Sequence, residues 1–174
     1  DYITTEEAEN LRKRIDKETW LDDLKRPVQH YGYKYDYKAR RIDETMRIGE
    51  LPDWGSELAK RFCAEGKFSR EPDQLIVNEY KSGQGISRHI DCEPCFDDTI
   101  ISLSLGSPVI MNFINSADKD YKREQPLEAR GLLILTDEAR YKWLHEISAR
   151  KNHIINGFKR PLERRISLTF RCVK

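Results

Sequence analysis

From residue 74 onward the chain is a succession of short β-rich runs, and no other feature limits its fold as much. The runs cover 74–80, 99–105, 109–114, 132–136, 142–147 and 165–173, with Gly, Pro, Asn and Asp between them. Ahead of them the pattern is helical. Thr4-Thr5-Glu6-Glu7 offers a capping box before Ala8, Leu11 and Ile15. Leu58 and Phe62, four apart after Ser56, predict a second helix ending near Gly66. Helices first and many strands later predict an α+β chain whose main body is a β-sandwich or barrel. Residues 148–163, with Asn156-Gly157 and Pro161, read as a long loop of the kind that often carries function.

With 174 residues and no repeat or Gly/Ser linker, the chain is expected to be one domain, residues 1–174. Residues 1–73 would supply the helices and 74–174 the β core. No run approaches the ~18 apolar residues of a membrane span, and no leader is visible, so no membrane partner is expected. The chain opens on Asp1 rather than Met, which leaves a trimmed native N-terminus open. Four cysteines are too few for a disulfide scaffold, and an intracellular setting, cytoplasmic or nuclear, is expected. A monomer is expected. The formal net charge is +1, but it is unevenly spread. Residues 1–24 carry eight acids and four bases, whereas residues 25–41 carry six bases and one acid. A basic segment on a near-neutral chain suits a polyanion gripped at one place, although a solvated face would look the same.

In a strand, His89 and Asp91 point to one face, and a mixed N/O ligand pair suits non-haem Fe(II) in a two-His, one-carboxylate triad. A third ligand must come from elsewhere. His145 lies in an apolar run where a neutral, ligating imidazole costs least, with His30 and His153 as rivals. The last strand alternates: Ile166, Leu168, Phe170 and Cys172 form an apolar face, while Arg165, Ser167, Thr169 and Arg171 share the other. The two Arg Cα atoms would lie about 20 Å apart at ~3.3 Å per residue. Their inward-reaching arms would leave a gap for a small dicarboxylate held at both ends by charge-assisted bonds. A solvent face with two exposed Arg is the competing reading. Asn78 and Tyr80 share a face and offer donors to the same acid, and Gly83 and Gly85 allow the turn that delivers His89.

Asn78-x-Tyr80-x-x-Gly83, His89-x-Asp91, His145 and Arg165-x-Ser167-x-Thr169-x-Arg171 together resemble the AlkB family of Fe(II)- and 2-oxoglutarate-dependent dioxygenases, from about residue 25 to 173. The resemblance implies a double-stranded β-helix (jelly-roll) core, with N-terminal helices and a nucleotide-recognition lid. It implies His89, Asp91 and His145 as ligands of Fe(II). Asn78, Tyr80 and Arg165 match the positions that hold the distal carboxylate of 2-oxoglutarate, and Ser167 and Arg171 those near its proximal carboxylate. Ser167 stands where the bacterial prototype has Asn, and Asp137 where Gly is expected. The implied chemistry couples decarboxylation of 2-oxoglutarate by O2 to hydroxylation of a C–H bond. On an N-methyl base, the product collapses to formaldehyde and the repaired base.

The implied partner is alkylated DNA or RNA, with the base unstacked to reach the metal. Tyr31, Tyr33, Tyr35 and Tyr37 alternate as if on one strand face, with Lys34 among them, and are expected to grip the substrate. Glu93 would accept from an exocyclic amine, and Arg150, Lys151, Lys159 and Arg160 would contact phosphate. A Tyr-lined face packed on the core is the competing reading. The leading expectation is demethylation of N-alkylated bases. The alternative is hydroxylation of modified wobble uridines in tRNA, because residues 78–91, 102–107 and the Tyr-rich segment also resemble that branch. A non-catalytic jelly-roll binding module is the reading from another class. Cys92-x-x-Cys95 lacks a second matching pair, so free thiols are expected rather than a zinc site.

Overall fold

The computed structural model describes residues 1–174. Its first helix, α1 (Thr5–Ile15), starts where the sequence predicts. Glu7 N donates to Thr4 Oγ1 at 3.1 Å and Thr4 N donates to Glu7 Oε2 at 2.6 Å, which closes the capping box. The second, α2 (Asp53–Ala64), begins three residues before the expected Ser56 and follows Pro52, which makes no side-chain cap bond. The helices cover one face of a large antiparallel sheet.

That sheet has the order β1 (Val28–Tyr31), β2 (Gln74–Tyr80), β11 (Arg165–Arg171), β4 (Ile100–Gly106) and β7 (Leu132–Leu135). Period-two alternation sorts its side chains. Leu75, Val77, Ile101, Leu103, Leu105, Ile166, Leu168 and Phe170 meet Leu11, Ile15, Trp54, Leu58 and Phe62 in one buried cluster. Phe62 sits edge-on to Phe170 at 5.2 Å between ring centroids. The opposite face of β2, β4 and β11 is polar, with Asn78, Tyr80, Ser102, Arg165, Ser167 and Arg171 facing a cavity.

A second sheet closes the other side of that cavity. It has the order β3 (Ile86–His89), β8 (Trp143–Ile147), β5 (Val109–Asn115) and β6 (Lys122–Leu127). Val109, Met111, Phe113 and Ile147 from it pack with Tyr80, Ile100 and Leu135 in a second cluster. Two facing antiparallel sheets with helices on one outer side make the double-stranded β-helix. No helix is long and apolar enough to cross a membrane.

Several expectations are corrected. Residues 148–163 contain a hairpin, β9 (Asn152–Ile155) and β10 (Phe158–Pro161), rather than an open loop. Asn156 and Gly157 both take positive φ, +51° and +80°, as a two-residue hairpin turn requires. The four tyrosines do not share a strand face. β1 ends at Tyr31 because Gly32, at φ +75°, lies against the carbonyl of Asp73 where no side chain fits. Cys92 and Cys95 are joined by a disulfide instead of being free. Their turn, closed by Cys95 N donating to Cys92 O, brings the Cα atoms to 5.2 Å. Cys63 and Cys172 are free.

Candidate active site

His89 ends β3 and pairs directly with His145 of β8, so antiparallel register brings the two imidazoles to 4.3 Å between centroids, their planes inclined by 58°. Asp91 lies beyond the end of β3, so strand alternation is not what aims it. Arg140, in the short helix α3 (Asp137–Tyr141), does that instead. Its buried guanidinium donates to the carbonyls of Asp91 at 2.9 Å and Cys92 at 3.3 Å, with Phe96 and Asp97 at longer range. Asp137 at the head of α3 adopts φ +48°, the conformation for which Gly was expected there. The ligand atoms of His89, Asp91 and His145 lie within 4.8 Å of one another.

The electrostatics suit a cation. His89 Nδ1–H donates to the carbonyl of Ser87 at 2.7 Å, which leaves the lone pair on Nε2, 3.5 Å from Asp91 Oδ1. Burial lowers the His145 pKa to about 4 against the pull of Asp91, so the imidazole is neutral and able to ligate at neutral pH. Burial opposes ionisation of Asp91, but Arg171 and the two imidazoles outweigh it and hold the carboxyl well below its usual range. Arg171 Nε donates to Asp91 Oδ2 at 3.0 Å, and its Nη1 donates to Gln74 Oε1 at 3.1 Å.

These groups open into a cavity of about 410 Å³. Arg165, Ser167, Thr169 and Arg171 all line it, as β11 alternation requires. Arg165 is 1% exposed, and its Nη2 donates to Ser104 Oγ at 2.9 Å. Its Nε and Nη1 are buried without partners. A buried guanidinium with free donors is costly unless an anion meets it. Tyr80 and Asn78 stand beside it, because Arg165 pairs with Tyr80 and Ser167 with Asn78 across β2. Ser167 Oγ shares a 2.8 Å hydrogen bond with Ser102 Oγ.

The expected substrate residues are divided. Tyr35 lines the cavity together with Tyr37, Arg40 and Arg88. The other four are not brought to it. Tyr31 packs edge-on against Trp54 on the helix side. Tyr33 is buried beside Arg47. Lys34 pairs with Asp23 at 2.8 Å. Glu93 is exposed in the disulfide turn, and its carbonyl accepts from Lys174 Nζ. Arg140 escaped the sequence reading, and Arg26 and Arg40 entered it only as members of the basic segment 25–41. Charge alone marks them in the sequence. Arg26 Nε donates to Asn78 Oδ1 at 2.8 Å, and Arg40 reaches the Ile90 carbonyl at 3.4 Å.

A double-stranded β-helix with two His and one Asp beside an anion-seeking pocket defines an iron- and 2-oxoglutarate-dependent oxygenase. The model of the 2OG-Fe(II) oxygenase superfamily matches residues 5–171, and the chain belongs to that superfamily. Within it the chain is AlkB-like. It is 37% identical over 173 residues to uncharacterized protein L905 of Acanthamoeba polyphaga mimivirus, covering 99% of this chain and 82% of that one. It is 37% identical to the "Alkylated DNA repair protein ALKBH8 homolog" of Arabidopsis thaliana, covering 100% of this chain and 57% of that one. It is 34% identical to the "tRNA (carboxymethyluridine(34)-5-O)-methyltransferase alkbh8" of Xenopus tropicalis, covering 89% of this chain but 25% of that one. The chain thus spans about half or a quarter of these last two proteins. The structure of OsALKBH1 shares the fold, with a TM-score of 0.73 at 20% identity, over 98% of this chain and 93% of that one.

The residues present fit the family's cofactors. Two imidazoles and a carboxylate offer the mixed N/O set that Fe(II) takes, and the free donors of Arg165 suit a carboxylate. The protein is a dioxygenase that uses Fe(II) and 2-oxoglutarate.

Proposed function

We propose that the enzyme hydroxylates an alkyl substituent of a nucleic-acid base, and that this base is a modified uridine in tRNA. His89, Asp91 and His145 would hold the iron, with Arg171 keeping Asp91 ionised and turned toward it. Arg165, Asn78 and Tyr80 would grip the distal carboxylate of 2-oxoglutarate, with Ser167 and Arg171 near the proximal one. When bound, the pair would activate O2, which would be the oxidant: one oxygen atom would go to the C–H bond and the other to 2-oxoglutarate, which would leave as succinate and CO2. Tyr35 and Tyr37, whose rings meet edge-on at 5.0 Å, would flank the inserted base and exclude water.

The carrying observation is the rim. Tyr35, Tyr37 and Arg40 bring two aromatic rings and a guanidinium to the exposed side of the cavity, beside an Arg88 that pairs with Glu146, and such groups hold a splayed nucleotide. The hairpin supports it. Arg150, Lys151, Lys159 and Arg160 are exposed there and make no ion pair, so they are free for phosphate. Similarity to a quarter of the length of proteins named for tRNA carboxymethyluridine supports the tRNA reading. Demethylation of N-alkylated bases is the second reading, favoured by 28% identity over 201 residues to the "Probable RNA/DNA demethylase ALKBH6" of Danio rerio.

The test offers wobble-modified tRNA, methylated RNA and methylated DNA in parallel, with Fe(II), ascorbate and 2-oxoglutarate, and analyses the bases by mass spectrometry. A gain of 16 mass units on a modified uridine of tRNA is expected. Formaldehyde with loss of methyl from DNA or RNA would establish the second reading. Succinate production with none of the three altered would contradict both.

A further inference from the structure

One side chain of the cosubstrate end of the cavity comes from outside both sheets. Arg26 lies two residues before β1 and lines the cavity. Its Nε donates to Asn78 Oδ1 at 2.8 Å, and its guanidinium carbon lies 5.4 Å from the centroid of the Tyr80 ring. The guanidinium carbon of Arg165 lies 5.2 Å from the same centroid. Two guanidiniums therefore converge on one ring at one end of the cavity. No carboxylate pairs with either. Glu79 faces the other side of β2 and is held by Arg164, and Asp91 is held by Arg171 at the metal end.

Arginine has donors only, so its bond to Oδ1 fixes how the Asn78 amide is turned. The oxygen is occupied by Arg26, and Nδ2, a donor, is the end left for a ligand. Without Arg26 the amide is free to turn its oxygen toward an incoming carboxylate, replacing an attraction with a repulsion. The same guanidinium adds a second positive charge where 2-oxoglutarate carries its distal negative one.

We propose that Arg26 is a positioning residue for 2-oxoglutarate, which locks Asn78 as a donor and selects dicarboxylates over monocarboxylate 2-oxo acids. The inference rests on reading Asn78, Tyr80 and Arg165 as the distal-carboxylate site. It also ties the basic segment 25–41, expected to serve nucleic acid, to the cosubstrate.

The test compares two ligands of equal chain length, 2-oxoglutarate and 2-oxopentanoate, which lacks the distal carboxylate. Each is titrated anaerobically into the Fe(II) enzyme and into Arg26→Ala, Arg26→Gln, Arg26→Lys and Arg165→Lys, with binding read from the metal-to-ligand charge-transfer band. Arg26→Ala and Arg26→Gln are expected to weaken 2-oxoglutarate tenfold or more and 2-oxopentanoate less than twofold, with Arg26→Lys between them and wild type. Equal weakening of both ligands would make Arg26 merely structural and overturn the proposal. No weakening of either, while Arg165→Lys remains selective, would overturn it and leave the carboxylate site standing. If Arg165→Lys is also unselective, the site reading itself has failed. Should Arg26→Ala unfold, Arg26→Gln carries the comparison.

Discussion

The inner wall of the cavity and its entrance are built differently. The inner wall is strand: β2, β4 and β11 pair without interruption from Arg165 to Phe170, so each of its side chains is placed by register. The entrance is irregular. From Gly32 to Arg47 the chain makes isolated bridges and a short 3-10 turn, and Tyr35, Tyr37 and Arg40 reach the cavity from there. A register-built wall holds a fixed small ligand with a defined charge pattern. A segment with few ladder bonds adapts to a bulkier one at little cost, which suits cosubstrate inside and nucleotide at the rim.

The sharpest break of that comparison is Arg171→Ala. It strands the buried Asp91 carboxylate, at a cost on the order of 3–5 kcal/mol, and should raise the 2-oxoglutarate requirement steeply. Unchanged affinity for 2-oxoglutarate by calorimetry would separate the inner wall from the cosubstrate.

Phe62→Ala should cost about 3–5 kcal/mol in urea unfolding, because it empties the cluster between α2 and β11. A loss below ~1 kcal/mol would show that the inner wall does not depend on its helical backing.

A pH test probes β1, the edge strand that runs into the entrance segment at Gly32. His30 is buried with neither ring nitrogen hydrogen-bonded, and burial, helped by Lys34, lowers its pKa to about 4. Its unfolded value is about 6.5, so the unfolded chain binds the proton more tightly. Stability from neutral His30 is thus present above pH ~6.5 and falls as pH drops toward 4, by about 3 kcal/mol at ~1.4 per pKa unit. His145 and His153 shift in the same direction, so the measurement is the difference between wild type and His30→Gln. That variant should show a shallower loss; parallel curves would mean His30 is solvated.

The smallest effect belongs to the entrance. Tyr35→Ala and Tyr37→Ala should each cost about 1–3 kcal/mol of nucleic-acid binding while leaving 2-oxoglutarate affinity and fold stability near wild type. Global unfolding by these variants would make the rim part of the core.

What could be read in the sequence follows the same division. The expected strand 74–80 matches β2 end to end, and the two faces of β11 sort as alternation predicts. A regular backbone converts sequence period directly into direction. The tyrosines alternate just as cleanly, yet Gly32 breaks the strand, and a period means nothing without the ladder beneath it. β6, Lys122–Leu127, escaped because it is an exposed edge of mostly polar residues with no apolar face to signal it. Arg140 was invisible because its partners are backbone carbonyls, which every sequence has.

The central claim is that His89, Asp91 and His145 hold iron against which 2-oxoglutarate chelates. Mixing the protein anaerobically with Fe(II) and then 2-oxoglutarate tests it directly. A visible charge-transfer band should appear in wild type and vanish in Asp91→Ala and in His145→Ala, with both variants still folded by circular dichroism. A band that persists in the folded variants would contradict the assignment.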